Sequence, residues 1–276
     1  MNEVINTKSN SWLGLSDKVC VVTGAGSGIG AEVARQFATC GASVAILDVN
    51  EAAASLVASE IVDRGGRAIA VGADAGSQAS MHQAACRVHH GLGPCTVLVN
   101  NAAVRNRSAL IGIDLAAWSR VLEVNLTGAL ICSQAFVPHM IEAGKGGSLV
   151  HVASLVGYHP QPDGGAYSVS KAGMMMLSRL LSIELAPHRI RSNVVAPGFT
   201  RTPATEAAYD HAETAAARIA MIPAGRAATP TDLADVILFI ASERASYING
   251  QDLLVDGGFT NTLMTTVPKL PQKEST

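Results

Sequence analysis

The sequence predicts one α/β domain, a doubly wound parallel sheet of seven strands with helices on both faces. Three observations carry that prediction. Short β-branched runs alternate with longer amphipathic segments along the chain, the order in which strands return to a parallel sheet through right-handed helical crossovers. The strand runs are apolar almost throughout rather than at every second residue, as expected where both faces of a sheet are covered. The chain has 276 residues, 48% of them hydrophobic, enough for one core that needs neither disulfides nor metal.

In chain order, the first strand is expected at residues 18–23. A glycine-rich turn then leads into a helix at 28–40, and Gly41 supplies the residue past its end that tolerates a left-handed backbone. Strand 43–47 and helix 51–64 follow, then strand 67–71 and helix 78–90. The run Val97-Leu98-Val99 marks a strand at 96–100, and the long apolar stretch beyond it a helix at 115–142. Strand 148–152 precedes a helix at 166–186, whose Met174, Met175 and Met176 read as core filling. Strand 191–196 follows, and a helix at 231–241, opened by Thr231 or Asp232 after Pro230, leads to the last strand at 252–255. Residues 202–221, Ala-rich and bracketed by Pro203 and Pro223, read as a lid over the C-terminal edge of the sheet. Residues 1–16 form an N-terminal extension, 17–259 the domain, and 260–276, with Pro268 and Pro271, a tail that frays or packs on a neighbouring subunit.

Charge narrows the function classes. Lys and Arg total 20 against 22 Asp and Glu, a net charge of −2 with both signs scattered, so no basic stripe for nucleic acid is expected. Charged residues make up only 15% of the chain, which excludes a disordered acidic or basic tail protein. Five cysteines, odd in number and without a Cys-x-x-Cys pair, read as unpaired buried thiols in a reducing compartment. No apolar segment follows a basic start and no run approaches the ~18 residues of a membrane span, so the expectation is a cytoplasmic protein without a membrane partner.

Two clusters carry chemistry. The first strand runs into Thr23-Gly24-Ala25-Gly26-Ser27-Gly28-Ile29-Gly30, where glycines let the backbone turn sharply and approach a pyrophosphate held at a helix N-terminus. Asp48 ends the second strand, placed to accept hydrogen bonds from a ribose diol. No Arg or Lys occupies Ser27, Val49 or Asn50 to offset its charge against a 2′-phosphate, which favours NAD over NADP. Further on, Tyr167 and Lys171 are four residues apart on a helix and so share a face. A phenol of ordinary pKa ~10 becomes a usable proton acceptor beside an ammonium. Ser154, after the fifth strand, is placed to hydrogen-bond the same oxygen as the tyrosine.

Order and spacing of these pieces resemble the short-chain dehydrogenase/reductase family from about Asp17 to Phe259. The matching residues are Thr23-Gly24-x-x-x-Gly28-x-Gly30, Asn100-Asn101-Ala102-Ala103, Asn125, Ser154, Tyr167-x-x-x-Lys171 and Pro197-Gly198. Ala103 stands where the family usually has glycine. The resemblance implies a single-domain Rossmann fold and a catalytic set of Asn125, Ser154, Tyr167 and Lys171. Tyr167 would be the general acid/base, and Ser154 would position the substrate oxygen. Lys171 would bind the nicotinamide ribose and lower the tyrosine's pKa. Asn125 would hold a water linking Lys171 to solvent. Gly24, Ser27, Gly28, Ile29, Gly30 and Asp48 would bind the dinucleotide, together with Asp74 and Ala75 at adenine and Asn101 near the adenosine ribose. Thr200 and Thr202 would sit at the carboxamide, with Tyr167 and Lys171 also touching the cofactor. No metal is expected.

The expected activity is an NAD-dependent oxidoreduction of a secondary alcohol or ketone, in a homotetramer as is common in the family. Pocket walls are expected from Val156, Tyr158, His159, Pro160 and Asp163-Gly164-Gly165 after Ser154, and from Val104, Arg105 and Arg107 after Asn101. Arg105 and Arg107 have the fork geometry for a substrate carboxylate, and His159 is placed to orient a hydroxyl. Few other charges line these loops, which leans toward a small cyclic or hydrophobic alcohol. The rivals are a 3-oxoacyl-acyl-carrier-protein reductase, from the likeness of Pro197-Gly198-Phe199 and Pro223-Ala224-Gly225-Arg226, and a non-catalytic dinucleotide-binding protein.

Overall fold

The structure, a computed structural model, describes residues 11–267. Glu3, Asn6 and Lys8 of the expected extension, and Pro268 and Pro271 of the expected tail, lie outside the described residues. Seven strands form one parallel sheet: β1 (Val19–Thr23), β2 (Ser43–Asp48), β3 (Arg67–Gly72), β4 (Val97–Asn100), β5 (Gly147–Val152), β6 (Ile190–Pro197) and β7 (Asp252–Val255). Their spatial order is β3-β2-β1-β4-β5-β6-β7. The chain winds outward from β1 to β3, then crosses back to lay β4 beside β1. At such a reversal the flanking connections leave on opposite faces and a crevice opens beyond the strands' C-terminal ends.

The helices are α1 (Gly28–Thr39), α2 (Glu51–Asp63), α3 (Gln78–Leu92), α4 (Leu115–Leu122), α5 (Gly128–Ala143), α6 (Tyr167–Glu184), α7 (Ala207–Asp210), α8 (Ala212–Ala220) and α9 (Pro230–Ala241). Consecutive strand residues explain the unbroken apolar runs. Cys20, Val22, Val44 and Ile46 pack with Phe37 of α1, Val57 of α2 and Ile237 of α9 on one face. Val19, Val21, Ala45 and Leu47 pack with Met81 of α3 and Phe136 and Met140 of α5 on the other. Phe37 and Phe136 are almost wholly buried, and truncating either to alanine costs about 3–5 kcal/mol.

Several expectations change in detail. The helix expected at 115–142 is not continuous, because α4 and α5 are joined by a π-helical turn over Glu123–Thr127. Asn125 in that turn has its amide bound to the backbone of Val104, a tertiary contact the helical period does not encode. The whole run Leu115–Ala143 is long and apolar enough to cross a bilayer, contrary to the sequence expectation, and more than half of the qualifying window is buried in the core. The last helix starts earlier than expected. Thr229 caps it in a reciprocal capping box with Asp232, and Pro230 fills the first turn, where its missing N–H has no cost. Met174 and Met175 are buried, but Met176 points outward at 54% exposure and fills no core. Cys86 is exposed while the other four cysteines are buried. Residues 11–13 form a short turn in which Trp12 stacks on Phe239 of α9, so the described end of the extension is tied down.

Candidate active site

The glycine turn is shaped by close backbone approach. Gly24 has φ +61°, and a Cβ there would lie 2.8 Å from the Ala102 Cα. A Cβ on Gly30 would lie 2.4 Å from the Gly24 carbonyl oxygen and 2.5 Å from Asn101 Nδ2. Asn101 clamps the turn from β4 by donating to the carbonyls of Thr23 and Gly24, each at 3.0 Å. The Thr23 hydroxyl accepts from the N–H groups of Asn101 and Ala102, each at 3.1 Å. Asp48 locks the other side. Its Oδ2 accepts from Gly26 N–H at 2.8 Å and its Oδ1 from Asn50 N–H at 2.9 Å.

A cleft of about 300 Å³ opens at this turn, above the C-terminal ends of β1 and β4. Of the residues expected to hold a dinucleotide, Gly24, Ser27, Gly28, Ile29, Asp48, Asp74, Ala75, Asn101 and Thr202 line it. Gly30 lies beneath the turn and Thr200 stands outside the cleft lining, its carbonyl accepting from the Thr205 hydroxyl at 2.7 Å. Sequence reasoning missed Leu47, Ala73, Met81, Arg120 and Val124, apolar or ordinary surface residues without a motif, while Pro203 and Ala204 belong to the expected lid. Arg120, the one cation in the lining, pairs with Asp74 at 3.4 Å and Glu123 at 3.3 Å. The residues fit a dinucleotide. The Ser27 side chain does not cap α1, which leaves first-turn N–H groups, with their partial positive charge, at the cleft. The glycines keep the floor clear of any Cβ.

Beside this cleft, Ser154, Tyr167, Lys171 and Asn125 converge, all buried. Ser154 caps the short turn Leu155–Gly157 after β5, accepting weakly from Val156 N–H at 3.4 Å. Tyr167 and Lys171 open α6 on one face, and Lys171 Nζ donates to the Val152 carbonyl at 2.7 Å, with Nζ 5.6 Å from the tyrosine ring centroid. Burial by itself would raise the Tyr167 phenol. The Lys171 and Arg105 cations and hydrogen bonds from Arg105 and Ser154 outweigh it and hold the hydroxyl below its ordinary range. Lys171 is likewise lowered, chiefly by burial, with Tyr167 opposing and Arg105 adding.

The Asn125 side chain is held by three hydrogen bonds: Oδ1 accepts from Val104 N–H at 2.8 Å, while Nδ2 donates to the Val104 carbonyl at 2.9 Å and to Ser170 Oγ at 3.1 Å. Both amide hydrogens are thereby taken up, and the amide oxygen keeps one acceptor site. Ser170, not singled out in the sequence, connects Asn125 to α6 by donating to the Tyr167 carbonyl at 2.7 Å. Arg105, though exposed, lays its guanidinium against the buried Tyr167, with Nη2 donating to the Tyr167 hydroxyl at 3.2 Å. Arg107 is exposed and has no carboxylate within 4.0 Å among the described residues, and His159 is exposed, its ring 6.4 Å from that of Tyr158. Below the site, His151 is buried between Asn100 Nδ2 and Ser192 Oγ, each at 3.2 Å. Burial, with Lys171 adding, pushes His151 down to about 4. Among the described residues no cluster of His, Cys, Asp or Glu is placed to hold a metal.

With this geometry in place, comparison with known proteins is direct. A family model described as "Enoyl-(Acyl carrier protein) reductase" matches residues 24–260. Cis-4-hydroxycyclohexanecarboxylate dehydrogenase of Sinomonas cyclohexanicum is 41% identical over 246 residues, covering 89% of this chain and 97% of that protein. The 3-oxoacyl-[acyl-carrier-protein] reductase FabG of Thermotoga maritima is 37% identical, covering 88% and 98%. The crystal structure of a short-chain type dehydrogenase/reductase from Mycobacterium marinum superimposes with a TM-score of 0.84 at 33% identity, covering 89% of this chain and 96% of that one. The chain belongs to the short-chain dehydrogenase/reductase family, oxidoreductases on a Rossmann-like sheet.

Proposed function

We propose that the chain is an NAD-dependent oxidoreductase that interconverts a secondary alcohol and a ketone, with Tyr167 as general acid/base. The observation that carries this reading is the convergence of the buried Ser154, Tyr167 and Lys171 beside a glycine-floored cleft. A bound nicotinamide dinucleotide supplies the hydride acceptor. The chain's own residues do the rest. The substrate hydroxyl sits between Ser154 and Tyr167, and the lowered tyrosine accepts its proton in the oxidative direction. Lys171, fixed by the Val152 carbonyl, keeps a positive charge beside the phenolate. Holding donor and acceptor at fixed geometry supplies much of the acceleration. Asn125 acts through position: it fixes Val104, and with it the loop facing the tyrosine.

Asp48 supports NAD over NADP, since its carboxylate is fixed at the cleft wall and Arg120 is already paired with Asp74 and Glu123. Residues 202–221, comprising α7, α8 and the cleft-lining Thr202–Ala204 stretch, act as the lid. The exposed apolar face of α6, Val169, Met176, Leu180 and Ile183, supports a homotetramer, tested by light scattering. Four buried unpaired thiols support a cytoplasmic location. For the acyl-carrier reductase reading, Arg226 would need to be free for an acidic carrier, but both its terminal nitrogens bind Asp232 at 2.7 Å. The test is dinucleotide reduction with a panel of secondary alcohols, NAD and NADP in parallel. Alcohol-dependent NADH formation that Tyr167→Phe abolishes supports the reading, and a protein that binds dinucleotide but turns over no alcohol refutes it.

A further inference from the structure

The arginines of this fold mostly have an acidic or carbonyl partner. Arg35, Arg87, Arg120, Arg179, Arg201 and Arg226 each lie within 4.0 Å of a carboxylate. Arg105 has no carboxylate within that distance among the described residues, and its guanidinium lies against Tyr167, with Cζ 4.5 Å from the ring centroid and Nη2 3.2 Å from the hydroxyl. Its position is built rather than incidental. The preceding residue, Val104, is held at both N–H and carbonyl by the Asn125 amide. Three residues on, Ser108 N–H donates to the Asp163 carbonyl at 3.0 Å, and Gly165 N–H donates back to the Ser108 carbonyl at 3.1 Å. The loop after β4 is thus laced to the loop entering α6, and the guanidinium is delivered to the oxygen that meets the substrate.

We propose that Arg105 is an anion subsite within this active site, and that the preferred substrates are secondary alcohols, or the matching ketones, that carry a carboxylate. The proposal rests on the oxidoreductase reading of the site. A substrate hydroxyl approaching Tyr167 competes with the Arg105 hydrogen bond for the same oxygen. A neutral alcohol offers the guanidinium nothing in exchange, whereas a carboxylate offers two parallel charge-assisted bonds. Geometry limits the substrate. With ordinary hydrogen-bond lengths at each end, the alcohol oxygen and the carboxylate oxygen are separated by at most about 9 Å. A hydroxy acid whose two groups sit across a six-membered ring or a short chain fits that span, and a long-chain ω-hydroxy acid does not.

The experiment compares kcat/KM for matched pairs, 3- and 4-hydroxycyclohexanecarboxylate against their carboxamides, in wild type, Arg105→Met and Arg105→Lys. The amide keeps the shape and removes the charge. The readout is the acid-to-amide ratio within each protein, so any effect of Arg105 on Tyr167 cancels. The expected wild-type ratio is roughly 10 to 100, as for a hydrogen-bonded charged group. It falls toward 1 in Arg105→Met and stays partly elevated in Arg105→Lys. In parallel, calorimetry measures binding of cyclohexanecarboxylate and cyclohexanecarboxamide to wild type and Arg105→Met with the dinucleotide present. Turnover of both members at equal kcat/KM, or an acid preference that survives Arg105→Met, overturns the anion subsite and leaves the dehydrogenase reading standing. No turnover with either dinucleotide, alongside Arg105-dependent binding of the carboxylate alone, overturns the dehydrogenase reading and upholds the subsite. Neither turnover nor Arg105-dependent binding overturns both.

Discussion

Replacing Asp48 by alanine isolates the basis of cofactor choice. In the structure the carboxylate is oriented by two backbone N–H groups, Gly26 at 2.8 Å and Asn50 at 2.9 Å, and it lines the cleft wall with Val49 beside it. Both oxygens keep lone pairs for a ribose diol, and hydrogen bonds to a charged group contribute about 1.5–3 kcal/mol. A 2′-phosphate dianion about 5 Å from the same carboxylate meets a repulsion of roughly 2 kcal/mol in a water-like dielectric. Together these favour NADH over NADPH by roughly 3.5–5 kcal/mol, about three to four powers of ten in dissociation constant. Alanine removes both effects. It also leaves the Gly26 and Asn50 N–H groups without their partner and so loosens the turn, but that weakens both dinucleotides alike. The ratio of the two constants is therefore the quantity to read. Fluorescence titration of wild type and Asp48→Ala with each reduced dinucleotide measures it, and the ratio is expected to collapse to within about tenfold of unity. A wild type that prefers NADPH, or a ratio that Asp48→Ala leaves unchanged, refutes the argument.

Tyr167→Phe is expected to lower kcat about 10²–10⁴-fold while the chain stays folded, since it removes the proton acceptor and the hydroxyl's hydrogen bonds from Arg105 and Ser154 but keeps the ring; stopped-flow kinetics and a thermal melt check this. The Tyr167 hydroxyl is held low by Lys171 and Arg105 against the effect of burial, and under the proposed reaction the phenolate is the active form in oxidation. Losing either cation therefore moves the acidic limb of the kcat/KM profile to higher pH, and a limb that moves down contradicts the assignment. Gly30→Ala drives a methyl into the Gly24 carbonyl and Asn101 Nδ2, so dinucleotide affinity is expected to fall at least about tenfold in a calorimetric titration. His151 sits at about 4 when folded, against ~6.5 when unfolded, so below pH ~6.5 the unfolded chain binds the extra proton and stability falls with pH. The loss reaches about 3 kcal/mol near pH 4, and urea melts across that range should show His151→Gln lacking this increment.

Local patterns made most of the framework readable. Strand and helix runs, the glycine turn at Gly24–Gly30, Asp48 at the end of β2 and the four-residue step from Tyr167 to Lys171 all depend on neighbours within one element. The periods of strand and helix, and the conformational freedom of glycine, are properties of short stretches of chain. That is also why a parallel sheet of seven strands follows from alternation and handed crossovers. What local patterns did not carry were choices between partners. Three residues in a row read as core methionines, but only the orientation of α6 turns Met176 to the surface. Asn125 looked like part of a regular helix, but it lies in a π turn, where Val104, on another segment, takes up its amide.

By itself, then, the sequence determined the doubly wound sheet, the glycine turn and the placement of Tyr167 and Lys171 on one face of α6. The tertiary structure decided which cation donates to the Tyr167 hydroxyl. Arg105 and Tyr167 are 62 residues apart, and their contact depends on the lacing of two loops through Ser108, Asp163 and Gly165. Arg226 was decided the same way, in favour of Asp232 rather than a partner. The reason is physical. A backbone period is fixed by bonded geometry that every short segment carries with it, whereas a long side chain selects its partner from whatever charge and hydrogen-bonding capacity the packed elements bring within about 3 Å.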